Sequence, residues 1–301
     1  MTWNIENLVD NLQAARRRSK RVQAQSNRRT PLPNSEQLAL AVYEIKSALF
    51  PRHAGAVDHR PSALSFYSGS RLNDALWTLV EQIENEHAFE DESDGTTHDA
   101  SEAVRIVEAF AADLPHIYET LESDILAAFT GDPSAHSTEE VLLSFAGVKA
   151  LIHHRIAHAL HREGAPIVAR IIASLAHAET GIDIHPGATI GGHFFIDHGT
   201  GVVIGETTVI GERVRVYQAV TLGAKRFSIA EDGSLVKGEA RHPIIEDDVI
   251  IYAGATILGR VTVGKGSTIG GNVSLTRSVP PGTNLVQAQA RAEVFDNGGG
   301  I

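Results

Sequence analysis

A chain of 301 residues, 43% of them hydrophobic, is long enough for two domains with cores of their own. Its net charge of −11 argues against a nucleic-acid scaffold, and the absence of cysteine excludes disulfides, thiolate catalysis and cysteine-bound metal and suits a reducing cytoplasm. No apolar run reaches the roughly 18–20 residues of a membrane span, and the start, MTWNIENLVDNL, lacks the apolar block of a secretion signal.

Residues 1–30 are polar, with the basic run Arg16, Arg17, Arg18, Lys20 and Arg21, and read as a solvated, poorly ordered stretch. Pro31 and Pro33 break the chain. Asn34 or Ser35 can then cap a helix whose stripe is Leu38, Val42, Ile45 and Leu49, and Pro51 ends it. A second amphipathic stretch covers about 72–87, with Leu76, Leu79, Val80 and Ile83. Residues 88–102 read as an acidic loop. A third helix, about 102–129, carries Val104, Val107, Phe110, Leu114, Ile117, Leu121 and Ile125 on one face. Gly131-Asp132-Pro133 stops it. Ser137 and Glu140 form a capping box for one further helix with the stripe Val141, Leu142, Phe145, Val148, Leu151 and Ile152. Gly164 and Pro166 interrupt that helix, and a last one ends near Gly181. Residues 1–181 are therefore expected to form a helical domain. It holds most of the acidic excess, because acidic and basic residues balance over 182–292. Its apolar faces exceed what one small bundle buries, which points to contacts between copies. The histidines of HHRIAHALH (His153, His154, His158, His161) are spaced to line a solvent or interface face rather than a metal.

From Ile184 the chain falls into sixes: IHPGAT, IGGHFF, IDHGTG, VVIGET, TVIGER, VRVYQA. Their first positions are Ile184, Ile190, Ile196, Val202, Thr208 and Val214, with Val220 following. The pattern resumes at Val249 as VIIYAG, ATILGR, VTVGKG, STIGGN, VSLTRS. A period of six fits neither a helix nor a flat strand; it marks a parallel β-helix in which three sixes make one triangular coil of about 18 residues. The coil is expected over 182–292, interrupted by a loop insertion at 224–240 that leads into Arg241-His242-Pro243. Within it EDGSLVKG reads as a small hairpin, and a loop this long on a regular solenoid is a functional position. Residues 293–301, with three glycines, are expected to form a mobile tail tipped by Ile301.

Two segments concentrate acids and histidines on the coil: Asp183-Ile184-His185-Pro186 and Asp197-His198. With 18 residues per coil, Asp183 and His198 fall about one coil apart near one vertex. A carboxylate beside an imidazole is how a general base is built, since it fixes the tautomer and stabilises the imidazolium. Two other readings stay open. Asp and His can simply cap turns of a non-catalytic solenoid. Alternatively, His185, His193 and His198 could hold zinc as in a carbonic anhydrase, which requires three imidazoles converging at about 2.0–2.1 Å from the metal. Because His193 and His198 are five residues apart, less than a coil, they should point from different faces.

The order Asp132-Pro133, DIHPGATIG, IDHGTGVVIGET, VTLGAK, RHP, VPPG, following a helical segment, resembles the serine O-acetyltransferases over about 132–291. The resemblance implies an α+β chain, an N-terminal all-α domain followed by a left-handed parallel β-helix of hexapeptide repeats. It implies transfer of the acetyl group of acetyl-CoA to the hydroxyl of L-serine, giving O-acetyl-L-serine and CoA and opening cysteine biosynthesis. His198 corresponds to the general base and Asp183 to its orienting carboxylate. Asp132 and Asp197 fall on positions for the serine ammonium, Arg241 on that for its carboxylate, and His242 and Glu206 of the GET segment belong to the same pocket. CoA is expected against Gly223, Ala224, Ala253 and Gly271, with Arg260 and Lys265 toward its phosphates and no metal. The family further implies inhibition by L-cysteine, trimers that share active sites, trimers stacked in pairs into hexamers, and capture of a terminal isoleucine, here Ile301, by O-acetylserine sulfhydrylase. This chain departs from better-known bacterial members in its longer loop before RHP and in Gln287-Ala288-Gln289-Ala290-Arg291 where they carry a GVPAR-like segment. The nearest rival is a hexapeptide acyltransferase for homoserine, a sugar or an antibiotic; two carboxylates and an arginine favour an α-amino acid.

Overall fold

In a computed structural model of the chain, the described residues are 3–18, 31–53, 58, 60–95, 97–99, 101–226, 233–236 and 238–287. The stretch expected to be poorly ordered contains helix α1 (Ile5–Arg18). Ile5, Leu8, Val9 and Leu12 recur there at helical spacing, a stripe that the basic run obscured, and all four are exposed. Helix α2 (Ser35–Leu49) is capped by Asn34, whose side chain accepts from the amides of Glu36 at 2.8 Å and Gln37 at 3.1 Å.

Helix α3 (Pro61–Asp94) is much longer than the expected 72–87 and takes in the first seven residues of the supposed acidic loop. Pro61 opens it, and Gly95, at φ 70°, ends it. Its acidic end is tied down by His98, whose Nδ1 lies 2.7 Å from Asp91 and whose ring stacks on His87. Helix α4 (Glu102–Gly131) follows. The single helix expected next is two, α5 (Thr138–Ser144) and α6 (Ala146–Glu163), broken at Phe145, whose backbone is extended. The break lets Gly147 seat directly on the coil, where an added Cβ would come 2.3 Å from the Ile196 carbonyl oxygen. Helix α7 (Pro166–Thr180) is capped from α3: the buried Glu86 carboxylate accepts from Ile167 N at 2.7 Å and Val168 N at 2.8 Å.

The α6 histidines do not line a solvent face. His154 is buried against Ala150, Ala173, Ala176, Ile182 and Ile184 without a hydrogen-bond partner, and His158 meets the Pro186 carbonyl at 2.8 Å. Helix α6 packs against α4, α7 and the coil, so its histidines are at least half-buried while Lys149 and Arg162 reach solvent.

The coil has three faces of parallel strands. The first holds β1 (Asp183–Ile184), β4 (Val203–Ile204), β7 (Thr221–Gly223), β10 (Thr256–Leu258) and β13 (Ser274–Leu275). The second holds β2 (Thr189–Ile190), β5 (Val209–Ile210), β8 (Ile244–Ile245) and β11 (Thr262–Val263). The third holds β3 (Phe195–Asp197), β6 (Arg215–Tyr217), β9 (Ile250–Ile251), β12 (Thr268–Ile269) and β14 (Asn284–Leu285). The first turn is two residues longer than expected: Asp183 pairs with Val203, twenty on, whereas Val203 pairs with Thr221, eighteen on. The extra pair falls in the corner after Asp197. Consequently the column of Ile184, Ile190 and Ile196 continues as Ile204, Ile210, Val216 and Leu222. Val202, Thr208, Val214 and Val220 form a second inward column, and both columns are buried. The coil also resumes one strand earlier than Val249, since Val209 pairs with Ile244. Residues 227–232 and 237 of the loop insertion, which take in part of EDGSLVKG, and the tail 288–301 with Ile301 lie outside the described residues.

A buried ion pair clips helices to coil. Arg155 of α6 lies 3.0 Å from Asp124 of α4 and donates to the Gly191 carbonyl at 2.7 Å, while Asp124 accepts from Phe194 N at 2.8 Å. Among the described residues no helix is long and apolar enough to cross a membrane.

Candidate active site

The site residues named from sequence divide among the three edges of the coil. On the edge between the third and first faces, the chain after β3 turns through His198 (φ 61°), Gly199 (φ 94°) and Gly201 (φ 78°). A Cβ on Gly199 would meet Ile182 at 2.4 Å, so glycine is needed for the corner to close. This bulge pushes His198 outward, and its side chain is 74% exposed. Nε2 of His198 lies 3.9 Å from Oδ1 of Asp197, whose other oxygen accepts from Arg215 Nη2 at 2.6 Å. Asp132, at the end of α4, accepts from the amide and hydroxyl of Ser134 at 2.8 and 2.7 Å; these bonds, aided by His198 and Arg215, hold its carboxyl below the usual range. Asp183 starts β1 at the foot of the same corner, its amide donating to Val202 O at 2.9 Å, and its carboxylate makes no hydrogen bond to His198. Ala253 and Gly271 occupy later corners of this edge.

The edge between the first and second faces is built by GET against RH. A Cβ on Gly205 would lie 2.1 Å from His242, so the glycine makes room for the ring. The Thr207 hydroxyl accepts from the amides of Arg241 at 2.9 Å and His242 at 3.1 Å, and Thr207 N donates to His242 Nδ1 at 3.1 Å. Nδ1 is therefore an acceptor. Burial, with the Arg241 charge beside it, lowers the His242 imidazole. Glu206 pairs with Arg241 at 2.6 Å. Burial acts to raise the Glu206 carboxyl, but the Arg241 hydrogen bond and the His185 and Arg241 charges outweigh it and hold it low. His185 joins this edge; burial and the Arg170 charge push its imidazole down to about 4. Arg260 donates to the carbonyls of Thr207 at 2.6 Å and His242 at 3.0 Å, and so clamps the RH segment. Gly223 and Ala224 lie at the same edge.

Lys265 is on the remaining edge, its ammonium 3.5 Å from both Asp247 and Asp248, apart from every other residue named for CoA. His185, His193 and His198 stand on three different edges, and no group of three metal-ligating side chains occurs among the described residues. His198 and Arg241 are separated within one chain by the width of the first face, about 20 Å for six residues at about 3.3 Å each. Gly205, Thr207 and Arg215 were missed from sequence. Their signal was spacing: Arg215 is one eighteen-residue step beyond Asp197, and Thr207 reaches His242 across the loop insertion.

The family described as "Bacterial transferase hexapeptide (six repeats)" matches residues 242–277. A plasmid-encoded serine acetyltransferase of Synechococcus elongatus is 51% identical in an alignment covering 100% of this chain and 96% of that protein. The chain belongs to the serine acetyltransferases. Among solved serine acetyltransferases, isoform 3 of Entamoeba histolytica, in complex with cysteine, is 34% identical with a TM-score of 0.74 over 90% of this chain and 88% of that one. A serine acetyltransferase in complex with CoA is 28% identical with a TM-score of 0.52 over 80% of this chain and 93% of that one.

Proposed function

We propose that this serine acetyltransferase transfers the acetyl group of acetyl-CoA to the hydroxyl of L-serine in a site closed between two copies. The observation that carries this reading is the separation of two complementary half-sites on the two edges of one face. The edge with His198, Asp197 and Asp132 offers a base and anions. The edge with Arg241 and His242 offers a fixed cation and a ring N–H. A serine zwitterion needs both, and a three-fold ring of copies brings the first edge of one against the second edge of the next. Asp132 and Asp197 take the ammonium; Arg241, steadied by Glu206, takes the carboxylate.

His198 then removes the hydroxyl proton as the oxygen attacks the thioester carbon, with Asp183 orienting the imidazole. Holding both substrates together removes the entropy of encounter. Backbone amides near Gly223-Ala224 meet the tetrahedral oxyanion. As the C–S bond breaks, the imidazolium returns its proton to the thiolate of CoA. The CoA arm follows the small corners Ala253 and Gly271, faced by Gly223 and Ala224 of the neighbour, with Arg260 toward its phosphates. Lys265 is on the wrong edge for this groove. L-Cysteine, which differs from serine by sulfur for oxygen, fits the same zwitterion pocket and is the proposed feedback inhibitor.

Thiol release measured with L-serine, homoserine and a sugar acceptor tests the assignment. Turnover is expected with serine and lost in His198→Ala and His198→Asn. The asparagine variant tolerates the left-handed backbone of this position better, so it separates loss of the base from strain. Near-normal turnover in either variant would remove His198 from its role.

A further inference from the structure

We infer that Arg215 is a positioning residue for the transfer: it fixes Asp197 by one carboxylate oxygen, leaves the other for the amino group of serine, and holds the ammonium pocket at a net charge of minus one. The inference rests on the roles proposed above for Asp132, Asp197 and His198.

Three observations support it. First, Arg215 Nη2 lies 2.6 Å from Asp197 Oδ2, and the Asp197 side chain is only 10% exposed, so this carboxylate has little freedom apart from its arginine. Second, the guanidinium is sandwiched between rings, 4.9 Å from the Phe195 centroid and 4.7 Å from that of Tyr217, and its Nε is buried without a hydrogen-bond partner. Stacking, together with the hydrogen bond to Asp197, sets its plane, a role a planar delocalised cation can fill and an ammonium cannot. Tyr217 is itself backed by Tyr252, stacked at 5.0 Å. Third, α4 ends on this sandwich. A Cβ on Gly131 would lie 2.8 Å from the Phe195 ring and 3.8 Å from Arg215 Nη1, and Asp132 is the next residue. Arg215 therefore binds one carboxylate and lies against the helix end that carries the other.

The charges around His198 are Asp197 beside it, Asp132 from α4, Arg215 from β6 and Asp183 from β1, with the Tyr217 hydroxyl also on β6. Asp132, Asp197 and Arg215 sum to minus one, matched to one ammonium. Without Arg215 they sum to minus two. That excess favours the His198 imidazolium, so deprotonation of the base requires higher pH.

The test is steady-state kinetics of Arg215→Gln, Arg215→Met and Arg215→Lys from pH 6 to 9, with melting curves alongside. In the glutamine and methionine variants kcat/KM for serine is expected to fall roughly ten- to hundredfold, as for loss of a hydrogen bond to a charged group. KM for acetyl-CoA should hold. The acid limb of kcat/KM should move up by roughly half to one pH unit, the scale of one unit charge a few ångströms away in a partly screened site. Lysine keeps the charge without the stacked plane, so it should restore the acid limb but not the full serine affinity. A purely structural arginine would lower the melting temperature without moving the limb. Wild-type serine KM and acid limb in Arg215→Gln would overturn the inference. Wild-type protein that ignores serine, or an active His198→Ala, would instead overturn the site on which it rests.

Discussion

Gly205 has no space for a methyl group, since a Cβ would lie 2.1 Å from the His242 ring that Thr207 holds in place. Gly205→Ala is expected to raise KM for serine roughly tenfold or more by displacing His242 and its neighbour Arg241. The melting temperature should change little, because the site is an edge of the coil rather than its core. Initial-rate kinetics at varied serine check this; an unchanged KM would show that His242 is not needed where it stands. At this scale the sequence spelled out the reactive groups but not what holds them. DIHP and DHGTG give carboxylates and an imidazole by their letters alone. The grip of Thr207 on His242 and of Arg215 on Asp197 arises only when successive coils stack, from residues 35 and 18 positions apart.

Elements were legible where a periodic stripe is bounded by breakers, as in α2 and α4, or where breakers alone marked the ends, as in α7. They were less so where tertiary contacts decide. The break between α5 and α6 exists because Gly147 must reach the coil, and the acidic end of α3 stays helical because Asp91 holds His98. The twenty-residue first turn was hidden by counting in eighteens, yet that extra pair of residues is what projects His198. Glu86 offers a test at this scale. Burial pushes its carboxyl up to about 7, against the amides of Ile167 and Val168 and the His98 charge, which lower it. An unfolded glutamate titrates near ~4.3. The fold therefore favours the protonated form. This contribution is fully present below about pH 4.3 and is lost as pH rises to about 7, a change on the order of 3 kcal/mol. Glu86→Gln satisfies only one of the two amides and should be less stable at acid pH, but its stability should fall less than wild type between pH 5 and 7. Equal slopes in denaturant melts would contradict the assignment.

For the whole molecule, the coil explains the fold and is the reason a shared site is proposed. Parallel strands stacked on three faces put every corner of one kind on one edge, so groups placed by different corners cannot converge across a face. Repeats in the sequence made the coil legible; which edge each motif occupies required the register. The proposed site therefore takes His198 and Arg241 from different copies. The most direct measurement mixes two inactive variants, His198→Ala and Arg241→Ala, by refolding them together at equal amounts and assaying acetyl transfer to serine. In a randomly assembled ring with one site per pair of neighbours, about a quarter of the sites combine an intact His198 edge with an intact Arg241 edge, and about a quarter of wild-type activity should return. No activity above that of the separate variants would mean that each site is built within one chain, and would contradict a site shared between copies.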